Sequence, residues 1–571
     1  MPYRIHSILP KGGPAIELGQ LTVLVGPNNC GKSQTLKDIK EYTKTGVSGR
    51  LVVLEEIVST LPTVAELKKG VRIRPHDRFI ENLKVIGVQD DLVTQFLFEP
   101  PNSWFNAIEP DDPASTQEVL RSLGTALIAY LGAEARFTLT RNCPSFDPRS
   151  DDPSNALQSL LVAGTEVRDQ LRDAFQAAFK TDIALDWGGM VRLYLRVSQD
   201  FGDIPESRVE LDKKMEGAAE LEKQGDGFRS FAGVALALLT YPDRVLLLDE
   251  PEAFLHPAQA RALGRWVGSQ AATRSGQIIV ATHSADFLAG LSSSGGDTTI
   301  LRLNRTDTIT SFHRVPSTIT AQLIESPLLS SQPVLDSLFH KGVVICEGDP
   351  DRSVYQMVAQ RFHPGRQAED FLFIHSNGKD AAKSPAALLR ESGTPVCVIA
   401  DFDILNSAGT LDGVVNGLTG NDLASASKVL RSEISAAIEV KSQEQTLREL
   451  KGNVANWLDQ PDADLRAARR ALSSMARAGA NKWDRAKKFG LAALEGDGNG
   501  QARELLERLA NLGLFVVPCG ELESWMKLQR PKGNRWNQSA LKELHSGNCP
   551  EELKEFVSQV LGFLERPRIF N

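Results

Sequence analysis

The sequence predicts an α/β chain built on two mostly parallel sheets, each interrupted by helical insertions. Three observations predict it. Short apolar runs at Leu21–Val25, Arg244–Leu248 and Gln277–Ala281 each end in polar loop residues, and helical patterns follow. A second set, Gly342–Cys346, Phe371–His375 and Pro395–Ala400, repeats the alternation after residue 340. Long helical patterns fill the intervals between the runs. In parallel sheets ligands collect at the carboxyl ends of strands, so the residues just after each run are the candidate site.

Composition bounds what such a chain can be. At roughly 150 residues per domain, 571 residues make about three or four domains. With 42% hydrophobic and 24% charged residues, disordered, collagenous and membrane classes are excluded. A net charge of −8 argues against a coat of positive charge while leaving room for a local basic patch. Cys30, Cys143, Cys346, Cys397, Cys519 and Cys549 form no C-x-x-C pair, which speaks against a zinc ribbon or a disulfide framework. No run reaches the roughly 18 apolar residues of a spanning helix, and the N-terminus lacks an apolar signal core. A cytoplasmic protein without membrane association is expected.

The first element in chain order is the strand Leu21–Val25, which leads into Gly26-Pro27-Asn28-Asn29-Cys30-Gly31-Lys32-Ser33 and a helical Gln34–Tyr42. The spacing G-x-x-x-x-G-K-S between strand and helix suits a phosphate loop. Asn28, Asn29 and Gly31 would present backbone N–H groups to ATP, and the helix N-terminus adds its positive end. Lys32 would neutralise phosphate charge, and Ser33 would ligate Mg²⁺. The next strand ends in Asp249-Glu250-Pro251-Glu252 and the third in Thr282-His283-Ser284. Asp249 is expected to hold Mg²⁺ through water, Glu250 to orient the attacking water, and His283 to sense the γ-phosphate.

These residues, in this order, resemble the ATP-binding-cassette (ABC-type) ATPase head of Rad50-like, SMC-like and OLD-type proteins. The resemblance covers about residues 1–330. It implies that a signature segment before the second acidic strand caps the partner head's nucleotide. Gln224-Gly-Asp-Gly-Phe-Arg-Ser230 stands there, so Gly227 and Ser230 are its candidates, although it keeps only a glycine and a serine of the usual Leu-Ser-Gly-Gly-Gln. A homodimer or homotetramer is implied. A helical dimerisation insertion is expected within about 60–220 of a head spanning 1–333. No sustained heptads occur, which removes a long coiled-coil arm.

In the second half, Gly342–Cys346 is followed by Glu347-Gly348-Asp349-Pro350-Asp351, and Pro395–Ala400 by Asp401-Phe402-Asp403. Glu347, Asp351, Asp401 and Asp403 can cluster at one sheet edge, where oxygen ligands suit Mg²⁺ or Mn²⁺. A two-metal phosphodiester site needs such a surplus of carboxylates. The order Glu-Gly-x-x-Asp then Asp-x-Asp resembles the TOPRIM domain of topoisomerases, primases and OLD nucleases. By that resemblance Glu347 is a ligand or general base and the three aspartates are ligands. After a helical stretch at 406–512, Leu514–Pro518 leads to Gly520-Glu521-Leu522-Glu523, similar to the last acidic element of OLD-type domains. Either Glu521 or Glu523 would help place the second metal. Lys487 or Lys488 is the candidate catalytic cation, by similarity to the lysine before the final strand. It lies in a run with Arg466, Arg469, Arg470, Arg477, Lys482 and Arg485 that could neutralise DNA phosphates. A second patch, Lys527, Arg530, Lys532 and Arg535, is interleaved with Trp525 and Trp536.

An ABC-type head followed by TOPRIM resembles the OLD (overcoming lysogenization defect) family, which includes the Gabija nuclease and retron-associated OLD effectors. The expected domains are the head, a TOPRIM unit at 334–525 with its helical insertion, and a helical extension at 526–571. The expected function is an ATP-regulated, Mg²⁺- or Mn²⁺-dependent endonuclease on double-stranded DNA in antiphage defence. An operon partner, a helicase or a reverse transcriptase with its RNA–DNA product, fits that setting. The alternative is an ATP-switched DNA-binding or assembly protein whose TOPRIM domain is a partner scaffold.

Overall fold

The computed structural model describes residues 3–566, apart from 71, 77–78, 109–111, 296, 320–321, 323–334, 367–369, 459–469, 471–472, 474–482, 495 and 529–531. The chain divides into two compact units, with the boundary between Phe339 and His340.

The first unit is organised by a six-stranded sheet in the order Ile309–Val315, Thr298–Thr306, Leu21–Val25, Ile278–Ala281, Val245–Asp249, Ile128–Leu131. Every neighbouring pair is parallel except the outer hairpin of the first two strands. All residues of Leu21–Val25 and Ile278–Ala281 are buried, as strands covered on both faces must be, and their unbroken apolar runs reflect it. The register pairs Leu24 with Ala281, Val280 with Leu248, and Leu248 with Leu131. Four strand ends therefore line up, and the chain emerging from each lands on one edge. Gly26 opens the phosphate loop at φ +143, where a Cβ would stand 2.3 Å from the Leu303 carbonyl oxygen, so only glycine fits the turn.

The segment expected as a helical insertion is mixed. It holds the antiparallel sheet Arg72–His76, Phe79–Val88 and Gln95–Phe98, and a second one built on Asp182–Asp186 and Arg192–Ser198. Arg192–Ser198 alternates exposed or half-buried with buried positions, the period of two that a strand imposes. Strand Ile128–Leu131 also falls in this segment, yet it belongs to the head's central sheet. Helix Pro113–Leu127 sends Val119, Leu120 and Leu123 into the same core as Leu24 and Leu247.

The second unit has a four-stranded, fully parallel sheet in the order Phe371–His375, Gly342–Cys346, Val396–Ala400, Leu514–Val516. Between the third strand and the edge strand the chain leaves the sheet through helices Ala408–Thr419, Ser425–Leu458, Asp484–Phe489 and Asp497–Asn511. Helices Asn534–His545 and Glu551–Leu564, expected as an extension, are part of this unit's core. Trp536, Leu544, Leu553, Phe556 and Val560 pack with Tyr355, Phe515 and Cys397. Burying each large apolar side chain contributes about 1.5–3 kcal/mol, so these helices hold down the sheet that carries the acids.

Candidate functional site

In the head, the aligned strand ends bring the phosphate loop and the acids together. Lys32 is buried, and its Nζ donates to the carbonyls of Gly26 (2.7 Å) and Pro27 (2.9 Å). The Ser33 hydroxyl donates to Asp249 Oδ1 at 2.8 Å, and the Tyr130 hydroxyl donates to Asp249 Oδ2 at 2.6 Å. His283 Nδ1 lies 3.3 Å from Glu250 Oε1 and 3.5 Å from Glu252 Oε1. Glu252 is buried and accepts from the Thr282 hydroxyl (2.7 Å) and the His283 N–H (3.1 Å). Burial pushes its carboxyl above the usual range, and those bonds oppose the shift only in part. Asn28 and Asn29 lie exposed on the loop, beside Gly31 and the helix Lys32–Thr45 it starts.

The signature segment opens helix Asp226–Thr240, with Gly227 in its first turn against the Phe254 carbonyl. Ser230 is fully buried and accepts from Arg136 Nε at 3.0 Å, so its hydroxyl is engaged inside the head.

In the second unit, Glu347 follows Gly342–Cys346 and Asp401 and Asp403 follow Val396–Ala400, adjacent strands in parallel register. One ligand atom from each of the three lies within 4.8 Å of the others. Glu347 Oε1 accepts from the Asp401 N–H at 3.3 Å. Crowding carboxylates in a half-buried place disfavours their charged forms. Asp401 is pushed up to about 8, first by burial and then by the charge of Glu347. Glu347 is raised by burial and by Asp403.

Lysines answer this charge. Lys487 Nζ lies 3.3 Å from Asp401 Oδ2 and 3.2 Å from Asp403 Oδ2. Its own burial disfavours the ammonium, but the two aspartates outweigh that and hold it above its ordinary value. Lys488 instead sets its ammonium over the Phe489 ring at 5.5 Å. Lys379, the first residue of the short 3-10 helix Lys379–Ala382 that follows Phe371–His375, donates to Asp403 Oδ2 at 3.0 Å and to its carbonyl at 3.2 Å.

Asp351, Glu521 and Glu523 stand outside the three-carboxylate cluster. Asp351 sits in the first turn of helix Asp349–Phe362 and accepts from the Gly348 N–H at 3.2 Å; burial pushes it up to about 6. Lys532 Nζ lies 2.6 Å from Glu521 Oε2 and 3.7 Å from Glu523 Oε2. In the basic runs, Arg466, Arg469, Arg477, Lys482 and Arg530 lie outside the described residues. Trp525 and Trp536 are buried, with the Trp525 indole N–H donating to the Tyr355 hydroxyl, so neither offers a free face to a base.

Sequence reasoning missed Tyr130, Arg136 and Lys379. Tyr130 lies in the short strand Ile128–Leu131, which follows helix Pro113–Leu127 with no turn residue between to mark the boundary. Lys379 sits in Ser376-Asn-Gly-Lys-Asp380, a polar loop at a strand end, and that position was the available signal.

Two family profiles match the chain. Residues 107–289 match "AAA domain, putative AbiEii toxin, Type IV TA system". Residues 338–403 match "Overcoming lysogenization defect protein-like, TOPRIM domain". A search of curated proteins finds no match. Among solved structures, the SMC head domain from Thermotoga maritima is 13% identical with a TM-score of 0.29, covering 55% of this chain and 99% of its own. The Smc head domain derived from Pyrococcus furiosus, with an extended coiled coil and bound to the C-terminal domain of ScpA, is 13% identical with a TM-score of 0.32, covering 57% and 99%. The chain combines an AAA-type ATPase domain with an OLD-like TOPRIM domain, the architecture of OLD family nucleases, and these domains support ATPase and nuclease activity.

Proposed function

We propose that the protein is an ATP-regulated, divalent-metal-dependent endonuclease acting on double-stranded DNA in antiphage defence. The observation that carries the reading is the convergence of Glu347, Asp401 and Asp403 beside Lys487 at the carboxyl edge of a parallel sheet. The residues fit a hard cation: all three donors are carboxylates, and Asp403 Oδ1 is buried without a hydrogen-bond partner among the described residues. A divalent ion held there would supply an activated water and neutralise charge at the phosphodiester. Asp351, Glu521 and Glu523 are assigned to a second ion of a two-metal TOPRIM mechanism. Glu347 holds metal or takes the water's proton, Lys379 keeps Asp403 in place, and Lys487 neutralises the phosphate undergoing in-line attack.

In the head, Asn28, Asn29, Gly31, Lys32 and Ser33 would hold the phosphates of ATP, and Ser33 with Asp249 its Mg²⁺. Glu250 would orient water, and His283 would read the γ-phosphate. The family architecture and the open edge of this site favour a homodimer or larger homo-oligomer.

Plasmid cleavage with Mg²⁺ or Mn²⁺, with and without ATP, tests the nuclease. Wild type should nick or linearise DNA, and Glu347→Ala and Asp401→Ala should each lose at least about 100-fold in rate. Equal cutting by all three overturns the assigned site. DNA binding without metal-dependent cutting would favour an ATP-switched assembly protein with a TOPRIM scaffold.

A further inference from the structure

Arg136 and Arg302 are the largest fully buried side chains among the described residues, and the hydrogen bonds of Arg136 go to uncharged oxygens. Nη1 donates to the carbonyls of Leu131 (3.1 Å) and Asp249 (2.8 Å), Nη2 to the carbonyl of Glu250 (3.1 Å), and Nε to the Ser230 hydroxyl (3.0 Å). A guanidinium offers five donors in a rigid plane, so one side chain can set the spacing of several segments at once. Here it joins three: the end of strand Ile128–Leu131, the acids after strand Val245–Asp249, and helix Asp226–Thr240.

Two further features make this junction more than packing. Glu250 is a non-glycine residue at φ +49, a conformation its surroundings must impose. Its backbone is held from both sides, by Arg136 at the carbonyl and by the N–H donating to the Ala281 carbonyl at 2.8 Å. The helix that carries Arg136 is also packed closely against helix Asp226–Thr240. A Cβ on Gly233 would lie 2.5 Å from the Arg136 carbonyl oxygen, so helices Ala133–Leu139 and Asp226–Thr240 meet backbone to backbone with no slack. Tyr130, two residues before the loop into Ala133–Leu139, grips the Asp249 side chain.

We infer that Arg136 is a positioning residue for ATP hydrolysis, linking helix Asp226–Thr240 through Ser230 to the backbone of Glu250. A shift of that helix pulls the guanidinium and re-aims the Glu250 carboxylate, so the helix can gate the chemical step without touching the phosphate loop. The link deepens the proposed ATPase mechanism and rests on the assignment of Glu250 to the attacking water.

The test is steady-state ATP hydrolysis and ATP binding by the full-length protein and four variants: Ser230→Ala, Ser230→Thr, Glu250→Gln, and Ser230→Ala combined with Glu250→Gln. Ser230→Ala removes one acceptor and should lower kcat roughly 10- to 100-fold, with the Kd for ATP within about twofold of wild type. Ser230→Thr keeps the hydroxyl and should stay close to wild type. Ser230→Ala should add no loss to that of Glu250→Gln, because it acts through that residue. Wild-type turnover in Ser230→Ala while Glu250→Gln is inactive overturns the link. So does equal loss in Ser230→Thr, or loss of ATP affinity, either of which marks a packing role. Wild-type turnover in Glu250→Gln would instead overturn the assignment of Glu250.

Discussion

At the residue scale, the two sites solve the same problem of placing acids close together. In the head, each Asp249 oxygen accepts from a neutral hydroxyl, Ser33 or Tyr130. In the second unit the carboxylates face one another, and lysines offset the repulsion. Lys487 is therefore expected to matter to turnover and Lys488 to matter little. Lys487→Met should slow plasmid cleavage by about 10²–10³-fold, the scale of removing a donor aimed at developing charge, and Lys488→Met by less than about threefold. A larger loss for Lys488→Met than for Lys487→Met would reverse the assignment. Adjacent lysines at the end of a helical turn look alike in sequence, because their spacing fixes only that they diverge. Which one meets Asp401 depends on how helix Asp484–Phe489 docks, a tertiary fact. Glu347 and Asp401 were legible because each directly follows an apolar run, with Asp403 two residues beyond Asp401, and a parallel sheet gathers such positions.

At the element scale, the strands missed within the head's long interval, Ile128–Leu131 apart, lack the unbroken apolar runs of a doubly covered sheet. Asp182–Asp186 and Arg192–Ser198 form a hairpin fastened by charge as well as by burial. Asp182 accepts from Arg172 at Nε (3.1 Å) and Nη2 (2.8 Å), and from the N–H groups of Ile183 and Phe201. Burial pushes the Asp182 carboxyl up, but Arg172 and the backbone donors win and hold it below its ordinary value. A carboxyl whose folded value is depressed stabilises the fold above its unfolded value, and that stability is lost as pH falls through the folded one. Asp182→Ala should cost on the order of 2–3 kcal/mol at pH 7, since it strands a charged partner and two backbone donors. Below about pH 3.5, where the unfolded carboxyl is largely protonated, its deficit should shrink. Melting curves of wild type and variant at both pH values check this; a gap that widens in acid would contradict it. Such a pairing joins residues on a helix and a strand 10 positions apart, and composition alone did not reveal it.

At the scale of the whole molecule, the net charge of −8 shows how little an average says about a chain with two separate acidic centres. Both centres were readable as motif order, whereas the mixed insertion and the core role of the last two helices were not, because packing partners far apart in sequence decide them. The head also leaves open the edge proposed for hydrolysis. Glu250 and His283 are each 48% exposed, and Phe254 is 55% exposed at φ +73, just beyond the acids. An exposed aromatic in a constrained backbone beside the half-open Glu250 and His283 would suit the proposed second copy covering this edge. Glu250→Gln, which keeps the shape of the site and removes its charge, should slow hydrolysis and accumulate the ATP-bound assembly. Lys32→Ala should lose ATP affinity and, with it, any assembly that depends on nucleotide. Light scattering at fixed protein concentration, with and without ATP, separates the cases: a mass increase confined to Glu250→Gln with ATP ties assembly to the bound triphosphate. The same mass in Lys32→Ala would mean that the heads associate, if at all, without nucleotide, and ATP would then act within one head.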